Sequence, residues 1–190
     1  MGVIGVVVVI VVVILLLALA VVIWVVSGQK KLVHAEELVG NSLSQIGVQQ
    51  ASRWDALTTL ADMTKAYSDH EYNTLMEVIR ARQGVGSKSS AAQVEGEETK
   101  LQQVTAGLVA VGEAYPELRS NTVYLNTMNS VRDYENSVRM SRMVYNDTVT
   151  KYNRLVRSLP GSLVAGGLGF APRDYLEADP AKENMPTMVR

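Results

Sequence analysis

The distribution of apolar and polar positions divides this chain into three kinds of pattern. The first is the run from Val3 to Val26, MGVIGVVVVIVVVILLLALAVVIWVV with its first two residues, which holds no charged or strongly polar side chain. As a helix it would rise about 36 Å, against a hydrocarbon core of about 30 Å. A buried core helix rarely needs so long a run without a polar face. A cleaved secretory signal would open on basic residues, be shorter, and end at a small-residue site. No Lys or Arg precedes this run, and although Ala18-Leu19-Ala20 mimics a cleavage site, VVIWVV continues the apolar stretch beyond it. The pattern predicts an uncleaved transmembrane helix. Its many valines do not oppose this, because an unpaired backbone in lipid costs more than β-propensity returns.

The second pattern is a helical seam. Tyr124, Met128, Val131, Glu135, Val138, Arg142, Tyr145, Val149, Tyr152, Val156 and Leu159 recur at alternating spacings of four and three, a period of about 3.5 residues. Pro116 breaks the chain before this seam, and Pro160-Gly161 stops it after. A less regular apolar side runs from Lys30 to about Gln83 through Leu32, Ala35, Val39, Leu43, Ile46, Leu57, Leu60, Tyr67, Leu75 and Val78, interrupted by Gln49, Gln50 and Arg53. Ser68 and Glu71 have capping-box spacing, so one kinked helix and two separate helices both fit this stretch. A further helix is predicted from about Ser89 to Tyr115, weakened by Gly96, Gly107 and Gly112. Short connections make successive helices antiparallel neighbours. The predicted fold is all-α: a single transmembrane helix followed by an antiparallel up-and-down bundle of three or four long helices, continuous with the anchor through Gly28-Gln29.

In the third pattern the periodicity is lost. GSLVAGGLGF is too short to span a bilayer and too rich in glycine to make a good helix, and EADPAKENMPTMVR is polar, with two prolines. The expected organisation is an anchor over 1–29, a helical-bundle domain over 30–159, and an irregular glycine- and proline-containing tail over 160–190.

Charge adds an orientation. The first charged side chains, Lys30 and Lys31, follow the run beside Trp24, an aromatic suited to the membrane interface, and these three form the expected interfacial anchor. The positive-inside rule then places residues 30–190 in the cytoplasm and the N-terminus outside. The total charge is −1, so no basic surface for nucleic acid is expected. There is no cysteine, which excludes lipoprotein processing, and Val6 stands where N-myristoylation wants Ser or Thr.

Candidate chemistry is sparse. His70-Glu71 opens a metalloprotease-like string, but Thr74 stands where a second histidine is needed, and no Glu-x-x-His pair suits a carboxylate-bridged metal site. GVGSKS (Gly84–Ser89) lacks the Gly-Lys-Ser/Thr of a phosphate loop, because Ser87 separates Gly86 from Lys88. No catalytic residue, metal or cofactor is expected. Within the seam, Glu135 and Arg142 lie on one face about 10 Å apart, too far to pair, so each needs another partner; Arg53 and Glu71 are the candidates. These four residues fit a register-fixing polar layer, or else a docking surface for another copy or protein. Leu163, Val164, Leu168 and Phe170 are apolar but outside every seam, and are candidates for joining copies into a homo-oligomer.

Together, these residues resemble the LemA family of bacterial membrane proteins. The resemblance runs through Asn41, Ser44-Gln45-Ile46-Gly47-Val48-Gln49, Arg53, Asp55, Leu57, Leu60, Tyr67 and His70-Glu71. It continues through Glu77-Val78-Ile79, Ala81-Arg82, Glu113-Ala114-Tyr115-Pro116-Glu117-Leu118, Glu135-Asn136, Arg142, Tyr145-Asn146 and Tyr152-Asn153. It ends with Pro160-Gly161, Gly169-Phe170 and Pro172-Arg173. It implies a bundle of four helices behind a membrane anchor, a cytoplasmic domain and no known enzymatic activity; one relative takes part in forming magnetosome membranes. The chain departs from the family at Gly47, usually Asp, at Gln50-Ala51-Ser52, usually a basic cluster, and at Thr58, usually Pro. The missing proline predicts a straighter first helix.

The expected function is a non-enzymatic, membrane-anchored scaffold of the bacterial cell membrane, in contact with lipid, self-assembling and organising membrane or membrane-associated proteins. The alternative is a bitopic adaptor docking onto a membrane enzyme or signalling protein.

Overall fold

A computed structural model describes residues 2–176. It contains six helices and, among the described residues, no strand: α1 (Val3–Thr64), α2 (Asp69–Arg80), α3 (Ala91–Ala114), α4 (Pro116–Arg119), α5 (Thr122–Arg157) and α6 (Gly161–Leu168). The chain divides into two compact units. One holds the residues up to Leu38 together with Thr150–Arg173; the other holds Val39–Val149 and the segment from Asp174.

The apolar run forms the start of α1, and its residues from Gly5 to Trp24 are exposed. This is the one helix among the described residues long and apolar enough to cross a membrane. The helix passes through Gly28-Gln29 without a break, and Thr58, where the resemblance has proline, donates its Oγ1 to Trp54 O within the same helix. It ends at Thr64, whose carbonyl accepts the backbone N–H of Tyr67 and Ser68 in a turn. Ser68 then caps α2, its Oγ accepting the Glu71 N–H at 3.3 Å, with Asp69 and Glu71 favourably placed at the positive end of the helix dipole. The stretch from Lys30 to Gln83 is therefore two helices, not one kinked helix.

In the unit beginning at Val39, the helices run up and down. Side chains 50 and 53 of α1 meet 94, 98 and 105 of α3, so these two helices run parallel. Tyr124 and Arg142 of α5 meet Leu108 and Glu95 of α3 in reverse order, so those two run antiparallel. The core gathers Trp54, Leu57 and Leu60 of α1, Leu75 and Ile79 of α2, Leu101, Val104 and Leu108 of α3, Leu118 of α4, and Tyr124, Met128 and Val131 of α5. A capping box starts α3: Ser90 Oγ accepts the Gln93 N–H, and Gln93 Oε1 accepts the Ser90 N–H. Two glycines expected to weaken α3 instead admit neighbours. A Cβ at Gly107 would lie 2.9 Å from Leu75 Cδ2, and one at Gly112 would lie 2.9 Å from the Tyr124 hydroxyl. That hydroxyl donates to Leu108 O at 2.7 Å; burial raises its pKa above the usual tyrosine value, with Arg119 opposing.

The seam of α5 is buried at Tyr124, Met128, Val131, Val138, Tyr145, Val149, Tyr152 and Val156. Leu159 is not part of it. Pro160 cannot continue the helix, and Gly161 packs so closely on the Leu155 carbonyl that a Cβ there would overlap it. The chain turns at this point and Leu159 is left 75% exposed.

The expected irregularity after Pro160 is corrected for Gly161–Leu168, which forms the short helix α6. Its glycines cost backbone entropy, but Val164 and Ala165 are buried, and Gly169, at φ +79°, closes the helix in the left-handed conformation that glycine tolerates. Residues 177–190, the rest of the predicted tail, lie outside the described residues.

Candidate functional site

The most unusual side chain in the bundle is Arg53. It sits among the apolar positions of α1 and is 1% exposed, and a buried guanidinium is tolerated only when paired and hydrogen-bonded. Its Nη1 donates to Glu98 Oε1 at 2.7 Å, and its Nη2 donates to Thr105 Oγ1 at 3.3 Å and lies 3.9 Å from Glu135 Oε2. Gln50 Nε2 donates to the other oxygen of Glu98 at 3.3 Å. Helices α1, α3 and α5 thus share one polar layer. Arg53 Nε, Gln50 Oε1 and the nearby Trp54 Nε1 are buried without a hydrogen-bond partner.

The predicted polar residues are only partly brought together. Arg53 and Glu135 belong to this layer. Arg142 instead pairs with Glu95 of α3. Glu71 does not join either pair: it lies in the first turn of α2, and the contacts of Arg53 and Arg142 described here are with Glu98, Glu135, Thr105 and Glu95, not with its carboxylate. Its inclusion in the layer is corrected on that ground. Glu95, Glu98 and Thr105 escaped the sequence reading, and Gln50 entered it only as an interruption of the apolar side. The signal was present in α3, where Val94, Glu98, Leu101, Thr105 and Leu108 alternate at four and three like the seam of α5.

Two Tyr-Asn pairs, seven residues apart on α5, hold the extended chain after α6. In one unit Tyr152 Oη donates to Ala171 O, and Asn153 makes two bonds of 2.8 Å to the backbone N–H and C=O of Arg173. In the other, Tyr145 Oη donates to Asp174 O, and Asn146 makes the same paired contact with the backbone of Leu176. An asparagine amide matches a peptide group donor for acceptor, so each pair fixes main chain without reading its side chains. Burial raises the Tyr152 pKa, Glu36 adds to the rise, and Arg173 opposes it.

At the end of the apolar run, Trp24, Lys30 and Lys31 are exposed. Of the apolar residues after Pro160, Leu163 and Leu168 are exposed and Phe170 is half-buried. Val164 is corrected as a candidate for self-association: it is buried against Gly28 of its own chain. On α5, Met140, Met143 and Val144 form an exposed apolar stripe at helical spacing. Among the described residues no three His, Asp or Glu side chains converge as metal ligands.

The sequence model of the LemA family matches residues 42–189. No curated protein matches the chain.

Proposed function

The chain belongs to the LemA family, and from that premise we propose that it is a non-enzymatic, membrane-anchored scaffold whose copies self-assemble and organise membrane or membrane-associated proteins. The observation that carries this reading is the exposed stripe Met140, Met143 and Val144 on α5, opposite the buried seam. Copies held in one membrane by α1 have a high effective concentration, so modest apolar contacts suffice to join them. Methionine suits such a surface because its flexible thioether adapts to a partner. The second copy is the occupant favoured here over a different protein, since every copy brings the same stripe and a closed ring or dimer hides it.

With no native cysteine, Met143→Cys gives a single reactive site. Short bis-maleimide treatment of membranes holding this variant is expected to yield cross-linked dimers, while Lys88→Cys, in the loop between α2 and α3, yields few. Equal yields at the two positions would remove the stripe as the joint.

The same reading places the bundle in the cytoplasm of the bacterial cell. Lys30 and Lys31 flank the apolar run on the bundle side, and such a bias holds that side inward. Lys88→Cys is expected to resist a membrane-impermeant thiol reagent in intact cells and to react after lysis. Ready labelling of intact cells would reverse the orientation.

A further inference from the structure

In the unit containing the apolar run, α6 packs on α1 at one defined level. Val164 Cγ2 lies 3.1 Å from where a Cβ on Gly28 would sit. Gly28 follows the last residue of the run, Val26, by about 3 Å of helix rise. Trp24 stands one turn before it, and Lys30 and Lys31 stand just after. Helix α6 is thereby held where the membrane-crossing stretch ends.

Its outer surface is strongly apolar. Leu159 and Leu163 are 75% and 66% exposed, more than any other large apolar side chain described. Both exceed even Leu15 of the apolar run, at 63%. Leu168 is exposed as well, and no charge occurs between Ser158 and Ala171. The charged side chains nearest to it in the last turns of α5 and just after the apolar run are basic. Lys30 and Lys31 on α1 and Arg154 and Arg157 in the last turns of α5 are exposed. The unit as a whole has six basic and two acidic side chains, a balance of +4 in a chain whose total is −1.

We propose that Leu159 and α6 lie in the headgroup–acyl boundary of the bilayer that α1 crosses, as a second, interfacial attachment to anionic lipid. This rests on α1 being the anchor. An apolar helix surface beside basic residues binds such a boundary through buried area and attraction to lipid phosphates. Here the anchor has already paid the cost of bringing the two together. Lipid, rather than a second copy, is the occupant because the exposed leucines sit at the level of the apolar run and the flanking cations match acidic headgroups. Long Arg and Lys stems reach those headgroups from helix turns just above the boundary.

The test uses the full chain in vesicles of phosphatidylcholine and phosphatidylglycerol, with one fluorescent label on Leu163→Cys, Leu15→Cys or Val48→Cys in turn. The label at 163 is expected to be quenched by lipid carrying a spin label near the headgroup. Its quenching by aqueous iodide should fall several-fold below that at 48. Iodide quenching at 163 equal to that at 48, with the label at 15 still quenched by deep spin-labelled lipid, would overturn the placement of α6 and leave the anchor intact. A label at 163 shielded from both quenchers would assign the surface to a protein contact and overturn the proposal as well. Loss of lipid quenching at 15 would overturn the anchor itself.

Discussion

Arg53→Ala is expected to be the most destabilising single change in the polar layer. The substitution leaves Glu98 buried opposite a cavity, with Gln50 as its remaining partner. Removing one member of a buried ion pair costs about 3–5 kcal/mol, because the other charge stays desolvated and uncompensated. In a domain of this size that corresponds to a fall in melting temperature of about 6–20 °C. Arg53→Met combined with Glu98→Leu removes both charges and keeps the volume, and is expected to recover much of the loss. Arg142→Ala is expected to cost less, since its partner Glu95 is more than a third exposed and water screens and replaces that contact. Thermal unfolding followed by circular dichroism measures all three. If Arg53→Ala melted with the parent, the guanidinium would be solvated and the layer would not hold the helices in register.

The second large effect is expected at Gly47→Ala. On helix propensity alone this change should stabilise α1 by about 1 kcal/mol. A Cβ at position 47, however, would overlap the carbonyl oxygen of Val85, in the loop between α2 and α3. The obstacle is backbone, so it cannot swing aside as the tip of a side chain would. Overpacking of this kind costs about 1–3 kcal/mol, and occasionally more, which outweighs the propensity gain. The expected result is a lower melting temperature together with faster tryptic cleavage at Arg82 and Lys88, as the loop lifts from α1. An unchanged melting temperature and an unchanged cleavage pattern would show that the loop yields at little cost.

These two positions also mark how far the sequence could be read. The seam of α5 was legible because its alternation of four and three runs over several turns, and all its apolar positions but Leu159 are buried. The long apolar start of α1 was legible from length and lack of charge. The boundary at Ser68 was signalled by the cap spacing, but choosing between one helix and two required the turn at Thr64. Arg53 stood out as a charge on an apolar side, yet its main partner did not, because Glu98 lies in a glycine-containing helix whose seam was read only as weakened. Glu71 was matched to the wrong role for the same reason: spacing gives the face of a helix but not which helix it meets. Helix α6 was missed because glycine content argued against it, whereas burial of Val164 on Gly28 supplies what the local sequence lacks. The close approach of Val85 to Gly47 leaves no periodic signature at all. It shows in the sequence only as a glycine within a helix.

The scaffold reading depends on copies of this chain meeting in the membrane, and the mass of the assembled particle tests that most directly. Full-length protein extracted in mild detergent and measured by native mass spectrometry is expected to give a discrete homo-oligomer. Met143→Glu should reduce it to monomer while leaving the melting temperature of the bundle unchanged, because Met143 is exposed. A monomer at every concentration, alone or carrying a different polypeptide, would contradict self-assembly; in the second case it would favour an adaptor that docks onto another membrane protein.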